Sequence, residues 1–233
     1  AHMIKVSGLC KQIFDGNSHK TILNQLDFNL EAGQSAAISG ESGSGKSTFL
    51  NILGSLDKAD KGEVFLAGLA IHAMTAAQTD SYRKKRLGIV FQQFNLIDCL
   101  SVWDNIMFPA KLNHIPISQY HHDLVEALGL TTHINKLPTN LSGGEQQRVA
   151  IARAMSHQPS VVLADEPTGN LDHKTSQSVT KLLFGLCKKL GITLVVVTHS
   201  QAVASHADWQ FMMNEGHLLQ VDCAPSKDID TPN

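Results

Sequence analysis

Gly40-Glu41-Ser42-Gly43-Ser44-Gly45-Lys46-Ser47-Thr48 is the stretch whose reading decides this chain. It fits G-x-x-x-x-G-K-[ST], a loop that wraps phosphate. Just before it, residues 35–39 form a short apolar run bounded by Gly33 and Gly40, the pattern of a buried strand. Just after it, Phe49, Leu50, Ile52, Leu53 and Leu56 recur at helical spacing. Strand, glycine loop, helix is the context the motif needs. The glycines let backbone N–H groups turn inward on a phosphate chain. The following helix adds the positive end of its dipole. Lys46 brings charge to the terminal phosphates, and the Ser47 hydroxyl is placed to ligate Mg²⁺.

The whole chain sets bounds on what that loop serves. Its 233 residues, 42% hydrophobic and 17% charged, suffice for a full core in one domain of two lobes or two small domains. A net charge of -2 with no basic block gives no electrostatic footprint for nucleic acid. Cys10, Cys99, Cys187 and Cys223 are scattered, with no pair at metal-ligand spacing, and read as reduced thiols of a cytosolic protein. The strongest apolar run, residues 192–197, is far too short to span a bilayer, so a membrane would enter only through a partner. Ala1-His2 ahead of Met3 is expected to be a processing remnant, and no signal peptide is visible.

Alternation and periodicity place the elements. Strands are expected at 3–7, 26–30, 35–39, 63–68, 88–91, 161–164 and 193–198, with a closing hairpin around 211–219. A turn is expected at 14–18. Helices are expected behind the phosphate loop and at 76–86, 102–111, 118–128, 142–157, 173–190 and 201–206. Strand signals vanish between Phe94 and His157, which reads as a helical insertion. The expected fold is α/β: a core with a mainly parallel sheet, a small N-terminal antiparallel β layer and an inserted helical subdomain. The divisions are 3–93, 94–157, 158–221 and a frayed polar tail at 222–233.

Two further stretches carry chemistry. Asp165-Glu166 follows the apolar run 161–164 directly, and acids at the C-terminal end of a buried strand are costly unless they serve a ligand. Beside a phosphate loop, Asp165 belongs near Mg²⁺ and Glu166 near the attacking water. Leu141-Ser142-Gly143-Gly144-Glu145-Gln146-Gln147-Arg148 opens a helix, with Ser142 and Glu145 in capping-box spacing. Two glycines in a first turn cost roughly 1 kcal/mol each in propensity. Close approach of backbone N–H groups to an anion would justify them. The chain thus carries two phosphate-binding devices.

With Gln92, Asn170-Leu171-Asp172 and His199 in this order, these motifs resemble the nucleotide-binding domain of an ABC transporter, over essentially the whole chain to about Val221. The resemblance implies an α/β P-loop NTPase core. The segments 53–57, 91–96 and 164–172 are similar to the branch that holds lipoprotein-releasing, macrolide-exporting, antimicrobial-peptide-exporting and cell-division ATPases of bacteria.

The resemblance implies an ATPase that pairs head to tail as a homodimer, with ATP and Mg²⁺ in the interface. Gly40, Ser42, Gly43, Ser44, Gly45, Lys46, Ser47 and Thr48 would hold the phosphates. Ser47, Gln92 and Asp165 would hold Mg²⁺, and Glu166, Gln92 and His199 would act at the γ-phosphate. Ser142, Gly143, Gly144, Glu145 and Asp172 would reach the ATP of the other copy. Phe14 stands where the family usually has a tyrosine that stacks on adenine, and a core or turn aromatic is the plainer alternative. Asp172 also suits an N-cap, and His199 taken alone suits a structural histidine. His121 and His122 are expected in solvent. The apolar residues from Phe94 to Phe108 would be mostly core, with a subset near Leu96 to Leu100 exposed for a separate transmembrane permease. The chain would then be cytoplasmic, peripheral on the inner face of a bacterial cell membrane. Its work would be export or extraction of a lipoprotein, peptide or macrolide, or else regulation of the cell-division type with no cargo.

Overall fold

The computed structural model describes residues 2–16 and 18–221. The tail from 222 on, expected to fray, lies outside the described residues, as does Cys223.

Two long strands, β1 (His2–Asp15) and β2 (Ser18–Glu31), pair antiparallel. Sequence alternation marks only parts of them, because the pairing shifts register three times between Val6 and Gln12. Each such irregularity interrupts the period-2 pattern. The turn expected at 14–18 shrinks accordingly, with Phe14 and Asp15 in β1 and Ser18 in β2. β3 (Ser35–Gly40) leaves for a second sheet, while β4 (Lys61–Leu66) and the short β5 (Leu69–Ala70) return to the first, giving the order β2-β1-β4-β5.

The second sheet takes β3 with β6 (Leu87–Phe91), β7 (Val161–Asp165), β8 (Thr193–Val197), β9 (Trp209–Asn214) and β10 (His217–Val221), in the order β10-β9-β3-β8-β7-β6. All its pairings are parallel except β9 with β10. Parallel strands need cover on both faces, and the side chains divide to match. Val195 and Val197 pack with Val161 and Leu163 into the core shared with the antiparallel layer. Leu194 and Val196 pack with Val162 and Ala164 into a second core beneath the helices.

The helices are α1 (Lys46–Leu53), α2 (Ala76–Arg86), α3 (Val102–Leu112), α4 (Gln119–Ala127), α5 (Gly143–Met155), α6 (His173–Leu190) and α7 (Gln201–Ala204). α3, α4 and α5 fall between β6 and β7, where strand signals are absent from the sequence. Two expectations change here. His121 is buried, not solvated: its Nδ1 accepts the Ser118 N–H at 3.1 Å and its Nε2 lies 3.0 Å from the Ser156 carbonyl. Leu96, Ile97 and Leu100 are half-buried, and the exposed apolar side chains of this region are Phe108 and Leu112. Asn105 explains the difference, because its buried amide grips the Ile97 carbonyl at 3.0 Å and the Leu100 carbonyl at 3.1 Å and folds that segment inward.

Candidate functional site

β3, β8 and β7 lie side by side in register, with Ile38 opposite Val197 and Val197 opposite Asp165. Their C-terminal ends therefore open at one level, where ligands of parallel sheets bind. The glycine loop leaves β3 there, Glu166 follows β7, and His199 lies just past β8. Ser42, Gly43, Gly45, Lys46, Ser47 and Thr48 face Asp165, Glu166 and His199 across one cavity of about 330 Å³.

The loop's shape follows from its glycines. Gly40 has φ 146°, and a Cβ there would sit 2.4 Å from the Met213 carbonyl oxygen of β9. Gly45 has φ 106°, and a Cβ would meet the Ile22 carbonyl at 2.9 Å. No other residue fits either place. The Lys46 ammonium donates to the Gly40 and Glu41 carbonyls at 2.7 and 2.6 Å, which ties the loop to its own cation. Burial pushes the Lys46 pKa down, against the pull of Glu166 and Asp165. An anion in the cavity would offset that cost.

Across the cavity, the Ser47 hydroxyl lies 3.5 Å from Asp165 Oδ2. Burial pushes the Asp165 carboxyl up, and Ser47, Lys46 and His199 oppose the shift. This pair of hard oxygen donors, beside a phosphate loop, fits Mg²⁺. Glu166 has φ 45°, a left-handed backbone for a residue with a Cβ. Its N–H donates to the Val197 carbonyl at 2.8 Å, and its carbonyl accepts the Gly169 N–H at 3.0 Å. Its Oε1 accepts the His199 backbone N–H at 2.8 Å, with His199 Nε2 at 3.4 Å. The strained backbone is thus pinned from both sides, which aims the carboxylate across the strand ends.

Not every expected residue reaches this cavity. Gln92 does not line it; its amide donates to Asn170 Oδ1 at 3.1 Å, and Asn170 donates back to the Gln92 carbonyl at 3.1 Å. Ser142 and Glu145 stand outside it too. They form the capping box: the Ser142 N–H donates to Glu145 Oε2 at 2.8 Å, and the Glu145 N–H donates to Ser142 Oγ at 3.3 Å. The bond from the Ser142 N–H, with His133 nearby, holds the Glu145 carboxyl below its ordinary range. Ser142 is exposed, but Gly144 is buried, and a Cβ on it would sit 2.4 Å from Thr175 Cγ2 of α6. Packing of α5 against α6 thus disfavours a side chain at 144, a reason independent of any anion. Asp172 is the N-cap of α6, accepting the Thr175 N–H at 3.1 Å.

Phe14 is 68% exposed and lies edge-on to His19, its cross-strand partner. The side chain that lines the cavity is that of Ile13, whose partner is Lys20, with Ile22 beside it on the same face. Phe14 itself stands outside this cavity, on the strand face opposite Ile13.

The ABC transporter family matches residues 23–169 of the chain. The chain belongs to that family. This ABC ATP-binding subunit is 40% identical over 222 residues to the lipoprotein-releasing system ATP-binding protein LolD of Treponema denticola, covering 94% of this chain and 98% of that one. It is 41% identical to the macrolide export ATP-binding/permease protein MacB of Rhodopirellula baltica, over 94% of this chain but 33% of that longer protein. Among solved structures it resembles a dimeric post-hydrolysis state of the cassette MJ0796 bound to ADP and Pi, with a TM-score of 0.83 and 35% identity, covering 93% of this chain and 96% of that one.

Sequence reading of this ATPase missed Ile13, Lys20 and Ile22 as cavity wall. The hairpin tip is exposed on both faces, so no burial pattern marks the side that turns to the cavity. The i, i+2 spacing of Lys20 and Ile22 was the available signal. It also missed Asn170 as the partner that holds Gln92.

Proposed function

We propose that the chain works in pairs, each copy closing the ATP cavity of the other, and that ATP binding and hydrolysis in the pair drive a separate membrane permease. The observation that carries this is the separation of the two anion devices. Among the described residues, the cavity around Lys46 draws nothing from the Ser142 turn, and that turn is exposed and capped. A second copy laid head to tail would bring Ser142 and Gly143 to the γ-phosphate.

In this reading Lys46 binds the terminal phosphates, exchanging its bonds to the Gly40 and Glu41 carbonyls for phosphate oxygens. Ser47 and Asp165 hold Mg²⁺, which when bound neutralises charge developing on the phosphates. Glu166 orients and deprotonates the attacking water, and His199, already bonded to it, holds its geometry and faces the γ-phosphate. Gln92, released from Asn170, reports site occupancy to the permease. A groove lined by Arg83, Lys84, Pro109, Leu112 and Arg153 suits an acidic, amphipathic helix of that permease. The likeness to LolD supports extraction of a lipoprotein-like cargo. No helix among the described residues is long and apolar enough to cross a membrane, in keeping with a place on the inner face of the membrane.

Ser142→Arg tests the reading. It should leave ATP binding to the single chain intact and abolish ATP-dependent dimerisation. Loss of all nucleotide binding would put Ser142 in its own chain's pocket and overturn the arrangement.

A further inference from the structure

Beside the Ser142 capping box lies a histidine that no family motif uses. His133 ends the tight turn Thr131–His133, and its Nε2 lies 3.2 Å from Glu145 Oε1. The other oxygen of that carboxylate accepts the Ser142 N–H at 2.8 Å. One carboxylate is therefore held at both ends, by a side chain and by the backbone of the serine. His133 Nδ1 lies 3.0 Å from the Thr132 hydroxyl, and Nε2, on the other side of the ring, faces the Glu145 carboxylate. Of the described acids, Glu145 is the one paired with His133 within salt-bridge distance.

The turn that carries His133 is itself anchored. The His133 N–H donates to the Leu130 carbonyl at 2.8 Å, and the Lys136 N–H donates to the His133 carbonyl at 2.9 Å. The first residues of α3 grip the same segment, Trp103 N–H to the Ile134 carbonyl at 2.9 Å and Val102 N–H to the Lys136 carbonyl at 2.8 Å. A rigid point in the helical insertion thus reaches the helix start that would face the second ATP. At side-chain exposures of 17% for His133 and 25% for Glu145, the contact is shielded enough to direct the carboxylate.

We propose that His133 is a positioning residue for Ser142: its Nε2 steadies the Glu145 carboxylate, which in turn holds the serine N–H and with it the backbone that carries the hydroxyl. The consequence for catalysis rests on the paired arrangement proposed above; the local effect on the Ser142 turn does not. Without His133, Glu145 keeps a single anchor and swings. The serine then presents to the partner's γ-phosphate in a wider spread of orientations, and closure of the pair weakens.

Two measurements separate the local claim from the paired reading. In the single chain without nucleotide, hydrogen exchange at the Ser142 amide should accelerate roughly fivefold in His133→Phe, which keeps the ring and removes the donor, and return toward the parent rate in His133→Arg, whose guanidinium restores it. In the Glu166→Gln background, His133→Phe should weaken ATP-dependent dimerisation roughly fivefold to tenfold with ATP affinity of the single chain unchanged, and His133→Arg should recover most of the loss. Unchanged Ser142 exchange in His133→Phe overturns the proposal, whether or not the chain dimerises. So does a His133→Arg chain as impaired as His133→Phe. Dimerisation failing in the parent itself, with the exchange result as expected, would instead fault the paired reading and leave the positioning role standing.

Discussion

Gly144→Ala adds one methyl group where α5 meets α6. The new Cβ would lie 2.4 Å from Thr175 Cγ2, against about 3.5–4.0 Å for a relaxed carbon contact. Thr175 stands in the first turn of α6, where its N–H donates to Asp172 Oδ2 at 3.1 Å, so the contact is relieved only by turning its side chain or shifting the capped helix start. Overpacking of this kind costs about 1–3 kcal/mol. Replacing a helical glycine by alanine returns up to about 1 kcal/mol. The net expectation is destabilisation of about 1–2 kcal/mol, read as a lower urea midpoint with an unchanged slope. Adding Thr175→Ser removes the clashing methyl and keeps the hydroxyl, so the double variant should recover to the stability of Thr175→Ser alone or better. If Gly144→Ala is as stable as the parent and Thr175→Ser changes nothing beside it, steric demand is not why glycine stands at 144.

Three other outcomes follow from the geometry. Ile13→Ala should weaken ATP affinity roughly threefold to tenfold by removing apolar cover from the cavity wall, whereas Phe14→Ala should change it by less than about twofold; equilibrium titration with a fluorescent ATP analogue distinguishes them, and the reverse ranking would refute the face assignment. His157 is held below the ordinary histidine range by burial, with Nε2 2.9 Å from the Leu87 carbonyl and Nδ1 unpartnered. The unfolded chain takes up the proton first as pH falls through about 6.5, so stability present above that value is lost below it. His157→Phe should shrink the difference in stability between pH 7 and pH 5, measured by urea denaturation, and an unchanged difference would remove His157 from the acid response.

The parts of the fold that were legible in the sequence share a physical trait. The strands β7 and β8 are buried on both faces, so their apolar runs are uninterrupted, and the two acids or the histidine at their ends stand out by contrast. Helices α2 and α6 match their expected bounds to the residue, and the structure shows a cap at each start, Thr75 with Gln78 for one and Asp172 for the other. The hairpin of β1 and β2 was underread because its irregular register defeats alternation, and there a one-residue difference decides which side chain lines the cavity. Gly144 was read from one local cost and one ligand-based remedy, whereas its tightest constraint is a contact with Thr175 on another helix. His133 and Glu145 are twelve residues apart and share no periodic pattern, so their pairing belongs to tertiary structure alone.

The central claim is that the cavity around Lys46 is completed by a second copy of the chain. Size-exclusion chromatography of Glu166→Gln, with and without ATP and Mg²⁺, tests it most directly. A monomer without nucleotide that becomes a dimer with ATP but not with ADP, together with hydrolysis close to zero, is the predicted result. A chain that binds ATP and remains monomeric at saturation, or one that turns over ATP at the parent rate, would contradict it.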